Sequence, residues 1–248
     1  METSLFTLAV FVLGTATAAL VTGLAGFAFG LVAAAIWLYA LTPIQTTTLI
    51  VAYGLLVQGY AVWKLRRSIN VGRLAPLIIG SAIGVPFGIL LLRWVPPATI
   101  RAAIGLLLIA FSLYNLFRPA LPTAKETGRL ADAGAGLING LVGGSTGLAG
   151  IVVVIWSSLR GWPRDEQRAE FQPTGVATFF ITLIGLGGIG AITTENAELF
   201  AIGLPALALG TWGGWKLYGK LDERKFRIAV LVLLLLSGMS LMIMGLIS

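Results

Sequence analysis

The charged residues of this 248-residue chain fall in short clusters, and the stretches between them are long. Charge-free runs cover 3–63, 74–92, 102–117, 133–159, 171–194, 199–215 and 228–248. A helix needs roughly 20 apolar residues to cross the hydrocarbon of a bilayer, so most of these runs have the length of a span or more. With 57% hydrophobic and 11% charged residues, the chain lacks the polar surface of a soluble domain. It reads as an all-α polytopic membrane protein whose first partner is the lipid bilayer. The net charge of +7 does not point to nucleic acid, because the bases lie in loops between spans, where they report orientation.

Within the apolar runs one glycine-rich stretch occurs twice. Residues 20–31 (LVTGLAGFAFGL) and 137–148 (LINGLVGGSTGL) are identical at six of twelve positions with an offset of 117. A second match, at an offset of 126, pairs Gly84 to Gly88 with Gly210 to Gly214 and reaches Arg101 opposite Arg227. The chain is therefore divided into a first transmembrane repeat (1–118), a linker (119–129) and a second transmembrane repeat (130–248). Internal repeats in a membrane protein point to a transporter with its site where the copies meet.

Residues 5–41 form an apolar run that would make a helix about 55 Å long, against a core of roughly 30 Å. It must break, and Gly23-Leu24-Ala25-Gly26 is the expected place. The loop at 64–73 has four bases and no acid, and the loop at 216–227 has five bases against two acids. Both are placed in the cytoplasm of a cell with this protein in its cytoplasmic membrane. If 130–158 crossed once, the 216–227 loop would lie outside. A re-entrant hairpin meeting at GLVGGSTG (140–147) removes that conflict. The expectation is two inverted repeats, each with a Gly-broken, re-entrant segment plus three transmembrane helices. The alternative is an eight-crossing bundle with parallel repeats. The first four residues carry no basic cluster, so the first run is not expected to be a cleaved signal.

Histidine and cysteine are absent. Thiolate or imidazole metal sites, Cys or Ser/His nucleophiles and disulfides are thereby excluded, and no carboxylate pair lies inside a span. The chain is not expected to be an enzyme, and neither a cofactor nor a metal is expected.

The doubled glycine break, Gln45-Thr46-Thr47-Thr48-Leu49 at the start of the next helix, the basic loop at 64–73, and RDEQRAEFQPTGVATF from Arg164 to Phe179 together resemble the TauE/SafE family of sulfite exporters. The resemblance covers nearly the whole chain. It implies a secondary transporter for a small anionic substrate, sulfite or an organosulfonate such as sulfoacetate, working by alternating access. Another small solute, or an accessory role without transport, is the alternative. A homodimer is an open option.

An oxyanion at the midplane needs groups that replace its water, and no Lys or Arg lies inside a span. Helix N-termini, hydroxyls and amides are what remain. In the second copy Asn139, Gly143, Gly144, Ser145 and Thr146 are candidate substrate-binding residues, and in the first copy Gly23 and Gly26. Gln45 and Thr48 in the first copy, and Gln172 and Thr174 in the second, are expected at equivalent helix starts, with Pro173 in a first turn. The same residue types serve helix packing and capping equally well. The tryptophans are expected to form an interfacial belt, and Arg101 and Arg227 to snorkel. Gln58 reads as interhelical glue.

Overall fold

The computed structural model describes residues 5–25, 28–65, 69, 71–117, 128–162, 164–217, 220 and 222–247, and among these every regular element is a helix. In chain order they are α1 (Leu5–Ala25), α2 (Phe29–Trp37), α3 (Pro43–Leu65), α4 (Val71–Trp94), α5 (Pro97–Phe117), α6 (Arg129–Thr146), α7 (Ile151–Leu159), α8 (Arg164–Gly188), α9 (Thr194–Leu217) and α10 (Glu223–Ile247). Five stretches, in α1, α4, α5, α8 and α10, are long and apolar enough to cross a membrane. Large apolar side chains such as Phe87, Leu106, Ile184, Leu209 and Leu233 are exposed along the long helices. Such a surface is costly in water and natural in lipid, and the chain is an all-α polytopic membrane protein.

The helices gather into two compact units that interleave the two halves of the sequence. One comprises Met1–Thr46, Val95–Pro119 and Thr193–Ser248, and the other Thr47–Trp94 and Ala120–Ile192. The first unit thus holds α1, α2, α5, α9 and α10, and the second holds α4, α6, α7, α8 and nearly all of α3. Each unit combines the broken segment of one half with a glycine-bearing helix of the other.

Glycine makes that combination possible. A Cβ on Gly80, Gly84 or Gly88 of α4 would collide with the carbonyl oxygens of Ala133, Leu137 and Leu141 of α6 in turn. From the other side, a Cβ on Gly136 or Gly140 would strike the Leu77 or Ser81 carbonyl. The two helices run parallel with their backbones in contact, and the Ser81 hydroxyl donates to the Gly136 carbonyl at 3.0 Å. The other unit repeats the device with α9 on α1, where a Cβ on Gly210 or Gly214 would lie 2.5 Å from the Ala16 or Leu20 carbonyl oxygen. Without side chains between them, the helices gain close van der Waals contact, the main source of helix association in a bilayer.

The broken segments are hairpins. In the second unit α6 ends at Gly147, whose φ of 73° reverses the chain, and α7 begins after Gly150 at φ 98°. The Gly150 N–H donates to Asn139 Oδ1 at 2.8 Å, and the Trp156 indole donates to Asp132 Oδ1 at 2.9 Å. Positions 150 and 156 therefore lie beside 139 and 132, so α7 returns antiparallel along the first half of α6. The other unit does the same, with left-handed Ala28 at φ 82° before α2 and the Trp37 indole donating to the Phe11 carbonyl at 3.1 Å.

Several expectations are corrected. The second break falls at 147–150, so it begins only at the last residue of GLVGGSTG, and Gly143 to Thr146 are the last turn of α6. The two arms are unequal, 18 and 9 residues, rather than two half-helices. The first break needs no such shift: α1 ends at Ala25, inside the expected Gly23-Leu24-Ala25-Gly26 stretch. Trp37 is fully buried and belongs to no interfacial belt, whereas Trp63, Trp94, Trp212 and Trp215 are exposed. Arg101 does not snorkel: its Nε donates to the Leu38 carbonyl at the end of α2 at 3.3 Å, and Arg227 Nη2 donates to the Asn115 carbonyl near the end of α5 at 3.1 Å. Both cations sit where helix carbonyls are unsatisfied.

Candidate functional site

The turn at 147–150 is the point in the second unit where backbone is freed from helix. The nine-residue α7 that follows has Gly150 as its N-cap with no side-chain cap bond. The N–H groups of Ile151, Val152 and Val153 have no acceptor inside the helix, because a helix start always leaves its first donors open. Two elements close around this turn. From α3, a Cβ on Gly147 would lie 3.1 Å from Ile50 Cβ and 3.2 Å from the Thr47 carbonyl oxygen. From α8, Gly175 faces both the turn and α3, since its Cβ position lies 2.7 Å from Gln58 Oε1 and 4.0 Å from the Ala149 carbonyl oxygen. Val51, Ala149 and Phe179 form the apolar floor.

Several buried polar atoms here lack a partner among the described residues, notably Thr47 Oγ1, Gln58 Oε1 and Gln172 Oε1. Gln58 lies beside the turn, and Gln172 is three residues before Gly175, on the same face of α8. Buried polar atoms are nearly always hydrogen-bonded, so an unpaired amide oxygen beside a turn with open helix N–H groups marks a place where a polar ligand can complete the bonding. Rotating either amide about its last bond presents N–H donors instead of the carbonyl. The site has no fixed cation, so an anion held here is held by dipoles.

The expected site residues divide by what they bond. Asn139 is fully buried and fully used: Nδ2 donates to Ser81 Oγ and Thr178 Oγ1 at 3.2 Å each, and Oδ1 accepts from Gly150. Ser145 Oγ donates to the Leu141 carbonyl at 2.8 Å, and Thr146 Oγ1 donates to the Val142 carbonyl at 2.6 Å while accepting from Leu148 N. Gly143 gives room to Thr178 and Ala149, and Gly144 to Val85. These five residues shape the turn. Gly23 lies against Thr211 and Gly214 of α9, and Gly26 is outside the described residues. Gln45 is drawn into a reciprocal cap: its Oε1 accepts from Thr42 N and Oγ1 at 3.0 Å each, and its own N–H donates to Thr42 Oγ1 at 3.3 Å. Thr48 is buried on α3.

Gln172 and Thr174 are not at a helix start. α8 begins at Arg164, so both lie more than two turns inside it, and Pro173 is an interior proline. Thr174 is buried with its hydroxyl on the Glu170 carbonyl at 2.8 Å. Gln58 is the residue the sequence undervalued. A lone amide on an apolar helix is usually helix-to-helix glue, and only its proximity to the turn distinguishes it.

Apolar spanning helices with two chain-reversing breaks, each followed by a short helix without a side-chain cap, are the build of a multi-pass membrane transporter. The sequence profile of the sulfite exporter TauE/SafE family matches residues 10–241, nearly the whole chain, and the chain belongs to that family. No curated protein and no solved structure matches it.

Proposed function

We propose that the chain exports small sulfur-containing anions, sulfite or an organosulfonate such as sulfoacetate, across a cytoplasmic membrane by alternating access. The two repeats are taken as inverted, with the basic loops 64–73 and 216–227 in the cytoplasm. The observation that carries the reading is the pair of buried amide oxygens without a partner, Gln58 Oε1 beside the turn that opens α7 and Gln172 Oε1 three residues before Gly175 on α8. A sulfonate or sulfite group offers three oxygens in a compact, charged head, and amide and helix N–H donors suit it without the tight hold a buried arginine would impose. Gln58, Gln172 and the backbone of the turn bind the anion, and Asn139, Gly143, Gly144, Ser145, Thr146 and Thr174 hold the shape around it.

Thermal stability of the purified protein, measured with sulfite, thiosulfate, sulfate, sulfoacetate, taurine and acetate at matched ionic strength, tests this. One or two sulfur anions should stabilise the protein selectively, and Gln58→Leu and Gln172→Leu should each remove that shift while leaving the unliganded protein folded. A ligand shift that survives both changes would take the amides out of the site. Stabilisation by none of the sulfur anions would overturn the substrate class.

A further inference from the structure

One buried ionisable group in the second unit has no role in this binding site. Glu170 on α8 is 2% exposed, and its Oε2 has no hydrogen-bond partner. Its surroundings hold charge, but that charge is paired elsewhere. Arg73, at the start of α4, bonds Glu166 at 2.6 Å, and Arg160, just past α7, lies 3.8 Å from Asp132 of α6, which also accepts from the Trp156 indole. Both guanidiniums also lie over the Trp162 ring, at 5.3 and 5.5 Å. Arg73, Asp132 and Glu166 act on Glu170 through space, yet no salt bridge reaches it among the described residues. A carboxylate shut away from water needs either a partner or a proton.

From Glu170 a ridge of hydroxyls runs along α8, drifting about 40° round the helix at each step. Thr174, Thr178 and Thr182 follow at intervals of four residues, all fully buried, and Thr182 Oγ1 has no partner. Four residues are slightly more than one turn, so the line extends about 18 Å along the helix. Pro173 has no N–H to give the carbonyl of Ala169, which leaves one more acceptor open beside Glu170. The first copy keeps only one of these hydroxyls and not the carboxylate. Counting from the matched glutamines Gln45 and Gln172, the same four positions in the first copy are Pro43, Thr47, Val51 and Leu55.

We propose that Glu170 is a proton-binding site of the transporter, connected along α8 by Thr174, Thr178 and Thr182, and that one proton is taken up and released there in each transport cycle. The step is an acid–base exchange: the carboxylate gains a proton from water at this end of the unit and returns it to water later, with no other bond made or broken. The ionised and neutral forms favour different conformations, so a proton gradient biases anion movement. The coupling rests on the transport reading above, whereas the proton site itself can be tested without a substrate.

Infrared difference spectra of purified wild type and Glu170→Gln across a pH titration should show a buried carboxylic acid C=O band that is lost in the variant. In proteoliposomes with the membrane potential clamped at zero, an imposed gradient of one pH unit should sustain about a tenfold ratio of labelled sulfite in wild type, the ratio one coupled proton supplies. Glu170→Gln should keep sulfite exchange at equal pH and lose the ratio. The proposal is overturned if the band persists in Glu170→Gln, or if the variant sustains the same ratio as wild type. If wild type moves no sulfur anion but shows the band, the transport reading fails and the proton site stands. Should Glu170→Gln not fold, Thr182→Val, which removes only the unpaired hydroxyl, takes its place. It should slow the gradient-driven flux severalfold with equal-pH exchange unchanged, and an unchanged gradient response would overturn the proposal.

Discussion

The contact between α4 and α6 makes a quantitative prediction with a built-in control on one helix. Gly140 and Gly134 both lie inside α6, but a Cβ at Gly140 would run into the Ser81 carbonyl oxygen and lie 2.7 Å from Ser81 Cα, whereas nothing lies within 4 Å at Gly134. The atoms that Gly140→Ala meets are backbone, which cannot rotate away, so α4 must move back by the better part of an ångström. That movement also opens the neighbouring contacts at Gly80, Gly84 and Gly136 and stretches the 3.0 Å bond from Ser81 Oγ to the Gly136 carbonyl. Overpacking of this kind costs about 1–3 kcal/mol, and the lost hydrogen bond adds about 1. Offsetting this, alanine gains about 0.8–1 kcal/mol over glycine in a helix interior. The net expectation is a loss of about 1–3 kcal/mol for Gly140→Ala and a gain of up to about 1 for Gly134→Ala. Equilibrium unfolding by sodium dodecyl sulfate in mixed micelles, followed by tryptophan fluorescence, reads both. Equal effects of the two substitutions, or a stabilising Gly140→Ala, would refute backbone contact as what holds α4 to α6.

Two further predictions concern the turn. Gly147 and Gly190 share a φ of 73°, but Gly147 is packed against Ile50 and Thr47 while Gly190 has open space around it, so Gly190→Ala should cost only the left-handed conformation, about 1–2 kcal/mol, and Gly147→Ala that and more. The same unfolding assay reads the difference, and equal losses would mean the turn does not press on α3. Asn139→Leu removes the acceptor of the buried Gly150 N–H and should destabilise the protein by about 1–3 kcal/mol. Hydrogen exchange at Gly150 should rise at least as steeply as the global loss predicts, and unchanged protection there would show that Asn139 does not fasten the hairpin.

What the sequence made legible is what composition and charge can carry. Uninterrupted apolar runs yield membrane helices, and 130–158, which the charge bias favoured as a segment that doubles back, is a hairpin within its unit, where Gly150 bonds Asn139. The break was legible to within a few residues but not to the residue, because a glycine that ends a helix and a glycine that lets two helices touch are the same residue. Gly143 and Gly144 do the second job, and Gly147 and Gly150 the first. Trp37 illustrates the same ambiguity: a tryptophan near the end of an apolar run fits an interface, and only the fold reveals its indole on the Phe11 carbonyl. Gln172 was misplaced because the charged residues 164–170 resemble a loop, while they form the first turns of α8. The pairing of α4 with α6 and of α1 with α9 joins residues from opposite halves, and no local pattern encodes it.

Comparing the two copies separates frame from function. Where they agree, the shared residue makes a backbone contact or binds a carbonyl: Gly84 and Gly210, Gly88 and Gly214, and Arg101 and Arg227. Such jobs come with the duplicated backbone and recur with it. Gln45 and Gln172 agree in identity and differ in use, one spent on a cap and the other unpaired. Where the copies disagree along α3 and α8, Pro43, Val51 and Leu55 stand opposite Glu170, Thr178 and Thr182. Burying those polar groups costs free energy that the first copy avoids at the same positions. A duplicated scaffold can tolerate that cost in one copy while the other, with apolar side chains there, supplies packing. Glu170 and Thr182, whose polar atoms Oε2 and Oγ1 have no partner among the described residues, are therefore where substitutions should change transport with least change in fold.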